Sequence, residues 1–509
     1  MIDLSIYIMN WNKYYTSPSH SATFIFGELC YKKPIEITQE ITGVHDSYVS
    51  YVSRKEGVLS EHTRYSEDER KGIFGYDYFL EKPNFDHYFE TTLAIVSATD
   101  DYKRYVKTFD FDSVTKEDLL EMVIKAESIY NKSMGYYFLS QPEYTAKLKD
   151  EFINDLKRFV PDDSVYEIFT KLVESGEKSC LEAERDAWLT NIILPFLKGE
   201  IERSEVNKRI ARHAEKYKYL SASAQFGLWD VQHYEKLFSA DIKNLIEKLS
   251  DEIVLIGNKK KRVVGEKEVI TKKYGIPLEL VNKIQILADL GWLRLEAHIR
   301  GWQFFQWFGA KLVNRAANLL DAEDVDVFNL TYPEFMKALK GDLLIDEEIR
   351  SRRDGDILVI ITPENGEEIY FSEAASNKYD SEIAEKLELS DEFKGQTANG
   401  IGVVRGKAYV FKWGESEIEN KIYEFPEGYI LVAGQTLPLF MPAIRKALAI
   451  VTNEGGVLCH AAIVSRELNK PAIIGTKVAT TLIKTGDVIE LDLDAQMVRI
   501  IEKSAEDKA

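Results

Sequence analysis

Between Leu448 and Gly475 the chain reads strand, glycine loop, short helix, strand, and this order commits its C-terminal part to an α/β arrangement. Leu448-Ala449-Ile450-Val451-Thr452 is an apolar run of strand length, ended by the polar pair Asn453-Glu454 and by Gly455-Gly456. Beyond His460 the residues Ala461, Ala462, Ile463, Val464 and Leu468 fall at helical spacing until Asn469-Lys470-Pro471 stops them. Ala472-Ile473-Ile474-Gly475 then reads as a second strand.

His460 is thereby set at the first turn of a helix, behind a glycine-rich loop. Free backbone N–H groups and the positive end of the helix dipole favour an anion there. A neutral imidazole, with an ordinary pKa of roughly 6.5, is a competent nucleophile near pH 7. The position therefore suits a histidine that accepts a phosphoryl group while nearby amides hold its oxygens. The plainer account is a histidine that caps the helix by satisfying a backbone group. Cys459, at the same helix start, is a rival nucleophile, because a thiolate is favoured by the same dipole.

The run Gly455-Gly456, then His460-Ala461-Ala462-Ile463-Val464-Ser465-Arg466-Glu467, resembles the phosphohistidine loop of the phosphoenolpyruvate-utilising enzymes. Gly434-Gln435-Thr436-Leu437-Pro438 is similar to that family's Thr-x-Pro turn, and Pro471–Gly475 and Thr485-Gly486-Asp487 resemble its later strands. Leu458 departs from the pattern, since many relatives carry a hydroxyl residue there; regulation by phosphorylation of that hydroxyl is not expected here. The resemblance runs from about Lys394 to Glu502. It implies a swivelling domain in which His460 is the catalytic nucleophile and Gly455, Gly456, Cys459 and Arg466 surround the phosphate.

At 509 residues the chain is long enough for two or three domains. Its net charge of −19 argues against nonspecific nucleic-acid binding and against anionic membrane surfaces. The histidine-bearing segment is close to neutral, so the excess acid lies before it. Cys30, Cys180 and Cys459 are too far apart for a disulfide framework or a metal motif, and His20, His45, His62 and His87 match none either. No metal site is expected. No secretory signal is visible and no stretch approaches the ~20 apolar residues of a membrane helix, so a cytoplasmic protein is expected.

Residues 1–100 are aromatic-rich and read as irregular; those rings are core or the lining of a substrate pocket. From Lys116 to Leu249 helical spacing dominates, over Lys116–Ile129, Tyr144–Phe159, Ser164–Glu174, Cys180–Lys198, Ser204–Lys218 and Trp229–Lys248. Lys259-Lys260-Lys261-Arg262 reads as a solvated loop or, less simply, a phosphate contact. Pro277 to about Ala322 reads as a long helix broken near Gly291 and Gly301. Within it, Arg294 and His298 share one face, and Glu296 and Arg300 the next. Such groups are costly to bury unpaired. They make either an internal Glu296–Arg300 ion pair with a core histidine, or an acceptor site where an arginine neutralises the phosphoryl group and His298 or Glu296 is the base. A helix of this kind is similar in layout to the one near the substrate site of rifampicin phosphotransferases.

Ile357–Ile361 and Glu367–Phe371 flank Pro363-Glu364-Asn365-Gly366 and predict a β-hairpin. The expected fold is thus a mostly α-helical acceptor-binding part with a small hairpin (1–375), a linker (376–394), an α/β phosphohistidine swivelling domain (395–503) and a tail (504–509). Glycines 395, 400 and 402 are expected as hinges in a polar linker, with a thin polar contact between the two parts. No Walker-type loop or ATP-grasp unit is recognisable, and phenylphosphate synthase is a precedent for dividing such work between chains. The expectation is a phosphotransferase component that binds no cofactor alone. A separate ATP-grasp chain, with Mg and ATP, would charge His460, which serves a small-molecule acceptor. The competing expectation is a catalytically inactive regulatory or binding protein that retains the swivelling domain.

Overall fold

A computed structural model describes residues 13–17, 36–44, 48–53, 60–65, 69–161, 164–221, 228–243, 246–354, 357–362, 366–371, 390–412, 418–456 and 459–504. Among them no helix is long and apolar enough to cross a membrane. Contacts group the chain into two compact units: residues 1–147 with 304–388, and residues 148–303 with 389–509. The helices in the middle of the chain therefore belong with the C-terminal domain.

The first unit holds a five-stranded sheet in the order β1-β3-β2-β4-β5: β1 (Lys13–Ser17), β2 (Tyr48–Ser53), β3 (Ser60–Tyr65), β4 (Ile357–Thr362) and β5 (Gly366–Phe371). The expected hairpin is there, with Ile357 opposite Phe371 and Thr362 opposite Gly366; its turn, 363–365, lies outside the described residues. It is not isolated, because β2 pairs with both β3 and β4. The reading of residues 1–100 as irregular is corrected by these strands and by helices Glu69–Leu80 and Lys82–Val106. β2 reads Tyr-Val-Ser-Tyr-Val-Ser, strand-forming residues without two-residue alternation, so its pattern is hidden. The second helix buries Thr92 and Thr99 beside Tyr88, Ile95 and Tyr102, which blurs its apolar period.

In the second unit the helical segment comprises α1 (Val165–Leu172), α2 (Cys180–Trp188), α3 (Arg203–Tyr217), α4 (Val231–Asp241), α5 (Ile246–Gly257), α6 (Lys259–Tyr274) and α7 (Leu278–Ala297). Ser179 and Glu182 close a capping box at the start of α2, and Asp230 caps α4 by accepting from the His233 N–H. Two expectations change. The single helix predicted over Trp229–Lys248 is two, and the basic run at 259–262 opens α6 instead of forming a loop. α7 passes through Gly291 unbroken; the irregularity is a π-helical turn, His298–Trp302, that contains Gly301.

The C-terminal domain is built on an eight-stranded sheet in the order β6-β13-β12-β8-β9-β10-β11-β7. Here β6 is Glu392–Lys394, β7 Gln396–Asn399, β8 Val403–Phe411, β9 Ile430–Ala433, β10 Ala449–Thr452, β11 Ala472–Ile474, β12 Val488–Asp492 and β13 Met497–Glu502. β8, β9, β10 and β11 run parallel, and every residue of β9, β10 and β11 is buried. Helices α8 (Ile418–Glu424), α9 (Met441–Lys446) and α10 (His460–Glu467) belong to this domain.

The proposed hinge glycines sit inside this sheet. β6 and β7 already pair with β13 and β11, and a Cβ on Gly395 would lie 2.4 Å from Ile473 Cγ2. Gly400 and Gly402, at φ +97° and +72°, shape the turn between β7 and β8. The rest of the polar stretch, 372–389, lies outside the described residues.

The contact between helical segment and C-terminal domain is also not thin and polar. One buried apolar cluster runs from Leu181, Trp188 and Leu237 to Ile422, Phe440 and Ile444. The helices present apolar faces, and α8, α9 and the turn Pro438–Phe440 help to cover them.

Candidate active site around His460

Strand β10 delivers the chain to Gly455, whose φ of +120° and lack of a side chain let it turn against the helix start. A Cβ there would be 2.6 Å from Cys459 Sγ. Cys459 is the N-cap of α10: its sulfur accepts from the Ala462 N–H at 3.4 Å, and its own N–H donates to Gly456 O at 2.9 Å. Val457 and Leu458 lie outside the described residues. Burial pushes the Cys459 thiol upward, so it stays protonated near neutral pH, which counts against the cysteine as nucleophile.

His460 is only 8% exposed. Its Nδ1 and Thr436 Oγ1 are hydrogen-bonded at 2.9 Å, while Nε2 is buried with no hydrogen-bond partner among the described residues. Burial lowers the ring's pKa to about 3, so the imidazole is neutral at physiological pH. The capping account fails for this residue: Cys459 caps the helix and His460 bonds a side chain. Thr436 was visible in the sequence only as a turn residue. No spacing rule pairs it with a histidine 24 positions on.

The helical segment brings its charged residues to the same place, as α7 packs against α10. Arg294, buried, acts electrostatically on the Cys459 thiol together with Arg466. His298 is held at about 3, first by burial, then by Arg294 and by His460. Glu296 and Arg300 follow the plainer reading. Glu296 Oε2 accepts from Arg300 Nη1 at 3.2 Å, and Oε1 accepts from the Cys180 N–H at 2.6 Å, serving the start of α2. The four residues expected as one cluster thus divide: Arg294 acts on Cys459 and on His298, which also feels His460, while Glu296 and Arg300 pair with each other. Among the described residues, no three His, Cys, Asp or Glu side chains gather as a metal site.

The family profile described as "PEP-utilising enzyme, mobile domain" matches residues 425–496. The chain carries this mobile domain. Over 131 residues it is 44% identical to a probable phosphoenolpyruvate synthase of Archaeoglobus fulgidus, a match covering 25% of this chain and 17% of that one. The phosphoenolpyruvate synthase of Pyrococcus furiosus is 41% identical over 112 residues, 22% of this chain and 13% of its own. An uncharacterized phosphotransferase of Bacillus subtilis is 38% identical over 85 residues, 17% and 10% of the two chains. The likeness is thus to the mobile domain, and the matched stretch is less than a fifth of each relative. The aconitase X structure of Thermococcus kodakaraensis overlaps 22% of this chain at 19% identity, with a TM-score of 0.18, too low to argue from.

Proposed function

We propose that this chain is a phosphotransferase component in which His460 Nε2 carries a phosphoryl group to a small-molecule acceptor beside α7. The observation that carries the reading is the division of the imidazole: Nδ1 held by Thr436, Nε2 buried with no partner among the described residues. With Nδ1–H donating to the threonine hydroxyl, the Nε2 lone pair is the nucleophile. It attacks the phosphorus of a donor; a P–N bond forms, a P–O bond breaks, and the donor leaves with its oxygen. In the second step an acceptor hydroxyl or enol oxygen attacks phosphorus, the P–N electrons return to Nε2, and neutral His298 takes the hydroxyl proton. Arg294 and Arg466 offset the phosphoryl charge, and the N–H groups at the start of α10 receive its oxygens.

The donor in this reading is a separate ATP-grasp chain, with Mg and ATP held there. The competing reading, a binding protein without turnover, has one observation in its favour: His460 lies behind an apolar contact. Incubation with ATP-grasp chains and Mg-ATP labelled in the transferred phosphate separates the two. The enzyme reading expects acid-labile, alkali-stable label that small hydroxylated acceptors then discharge. A chain that binds such a partner yet never takes label is the binding protein.

A further inference from the structure

The basic run at 259–262 has no part in the phosphoryl chemistry, yet its first residue ties the His460 helix to the helical segment. The Lys259 side chain is 3% exposed. Its Nζ donates to Glu182 Oε2 at 2.6 Å and to Glu467 Oε1 at 3.1 Å. Glu182 stands in the first turn of α2, and Glu467 is the last residue of α10. One ammonium at the start of α6 thus joins three elements, one of which carries His460.

The neighbouring charges are engaged elsewhere. Arg262 pairs with Glu174 and Glu266, Lys260 with Glu177, and Glu296 with Arg300. Arg466 and Cys180 lie within electrostatic reach of Glu467 without taking Lys259's place. Burial, and then Glu467, raise the Glu182 carboxyl to about 7, as expected where two carboxylates share one cation away from water. The apolar contact around them is non-directional, whereas this triad fixes a single position. In that position a donor cannot reach His460 Nε2, because the ring is buried.

We propose that Lys259, clamped between Glu182 and Glu467, is a latch that holds α10 in the closed position, and that its release sets how often His460 becomes reachable. The consequence for turnover rests on the phosphohistidine reading; the latch itself is measurable without any phosphoryl group. Cys459, next to His460, is the reporter. In the full-length chain its alkylation by iodoacetamide is followed by mass spectrometry of the Cys459 peptide, with amide hydrogen exchange of α10 and α3 alongside.

Lys259→Met is expected to speed Cys459 alkylation about tenfold or more, because breaking a buried pair leaves its carboxylates uncompensated. Exchange in α10 should rise while α3 keeps its protection. Lys259→Arg, which keeps the clamp, should stay within about twofold of the native rate. Glu467→Gln, which keeps a hydrogen-bond acceptor without charge, should fall between native and Lys259→Met. An unchanged Cys459 rate in Lys259→Met overturns the latch. So does a loss of protection shared by α3 and α10, which marks general unfolding. Absence of phosphate on His460 would leave all these rates as they are, so the two readings fail separately.

Discussion

At the scale of residues, the site depends on how one imidazole is held. Thr436 is 4% exposed and forms the bond to His460 Nδ1 that leaves Nε2 as the nucleophile. Thr436→Val keeps the shape and removes that bond. A hydrogen bond of this sort is worth about 0.5–1.5 kcal/mol, so phosphoryl uptake should slow by roughly two- to tenfold, with Thr436→Ser close to native. Single-turnover labelling of the two variants measures this, and equal rates in the valine and native chains would remove Thr436 from the account. His460 itself was legible because glycines, histidine and helix stand adjacent in the sequence. Arg294 and His298 were legible as costly groups in an apolar helix, but not their separation from Glu296 and Arg300. That division depends on the Cys180 N–H arriving from another helix. Lys259 reads as solvated because it opens a run of four cations, and only the fold shows that the first is buried.

At the scale of elements, helices with regular apolar spacing are readable and the N-terminal strands are not. Helical spacing marks Cys180–Lys198 in the sequence, where α2 begins, whereas β2 gains its place by pairing with β4, some three hundred residues on. Glycines divide in the same way. The sequence suggests a hinge at Gly395, yet it is a close-packing position: Ile473 Cγ2 and Ile474 O would lie 2.4 and 2.9 Å from an added Cβ. Gly395→Ala should therefore destabilise by about 1–3 kcal/mol. Gly265, inside α6 with nothing among the described residues within 4 Å of an added Cβ, should behave oppositely. Gly265→Ala should stabilise by up to about 1 kcal/mol through helix propensity. Denaturant unfolding of the two variants tests both signs, and a neutral Gly395→Ala would reopen the hinge reading.

At the scale of the whole molecule, the shared core of the second unit sets its response to acid. Burial holds His233, His298 and His460 near about 3, well below the ordinary 6.5. A base with its pKa lowered by folding contributes stability above its unfolded value, and that stability is lost as pH falls from 6.5 toward 3. Glu182, raised to about 7, acts the other way, adding stability that is lost as pH rises from about 4.5 through 7. Burial raises the carboxyls of Asp289 and Glu454 as well, and they act as Glu182 does, so the histidines' share is read from a variant. Removing one buried neutral base, His298→Asn should lose less stability than the native chain between pH 7.5 and 5, as read from denaturant midpoints; an equal or greater loss contradicts the assignment.

The same shared core explains why domain organisation was harder to read than the site. Sequence order suggests one helical body followed by an independent domain, whereas buried apolar faces are paired only in three dimensions. The central claim remains chemical, and phosphorus NMR of the phosphorylated chain tests it most directly. The account predicts a phosphoramidate resonance of the Nε2 isomer, lost in His460→Ala and retained in Cys459→Ser. A resonance of the Nδ1 isomer, or one that survives in His460→Ala, would contradict it.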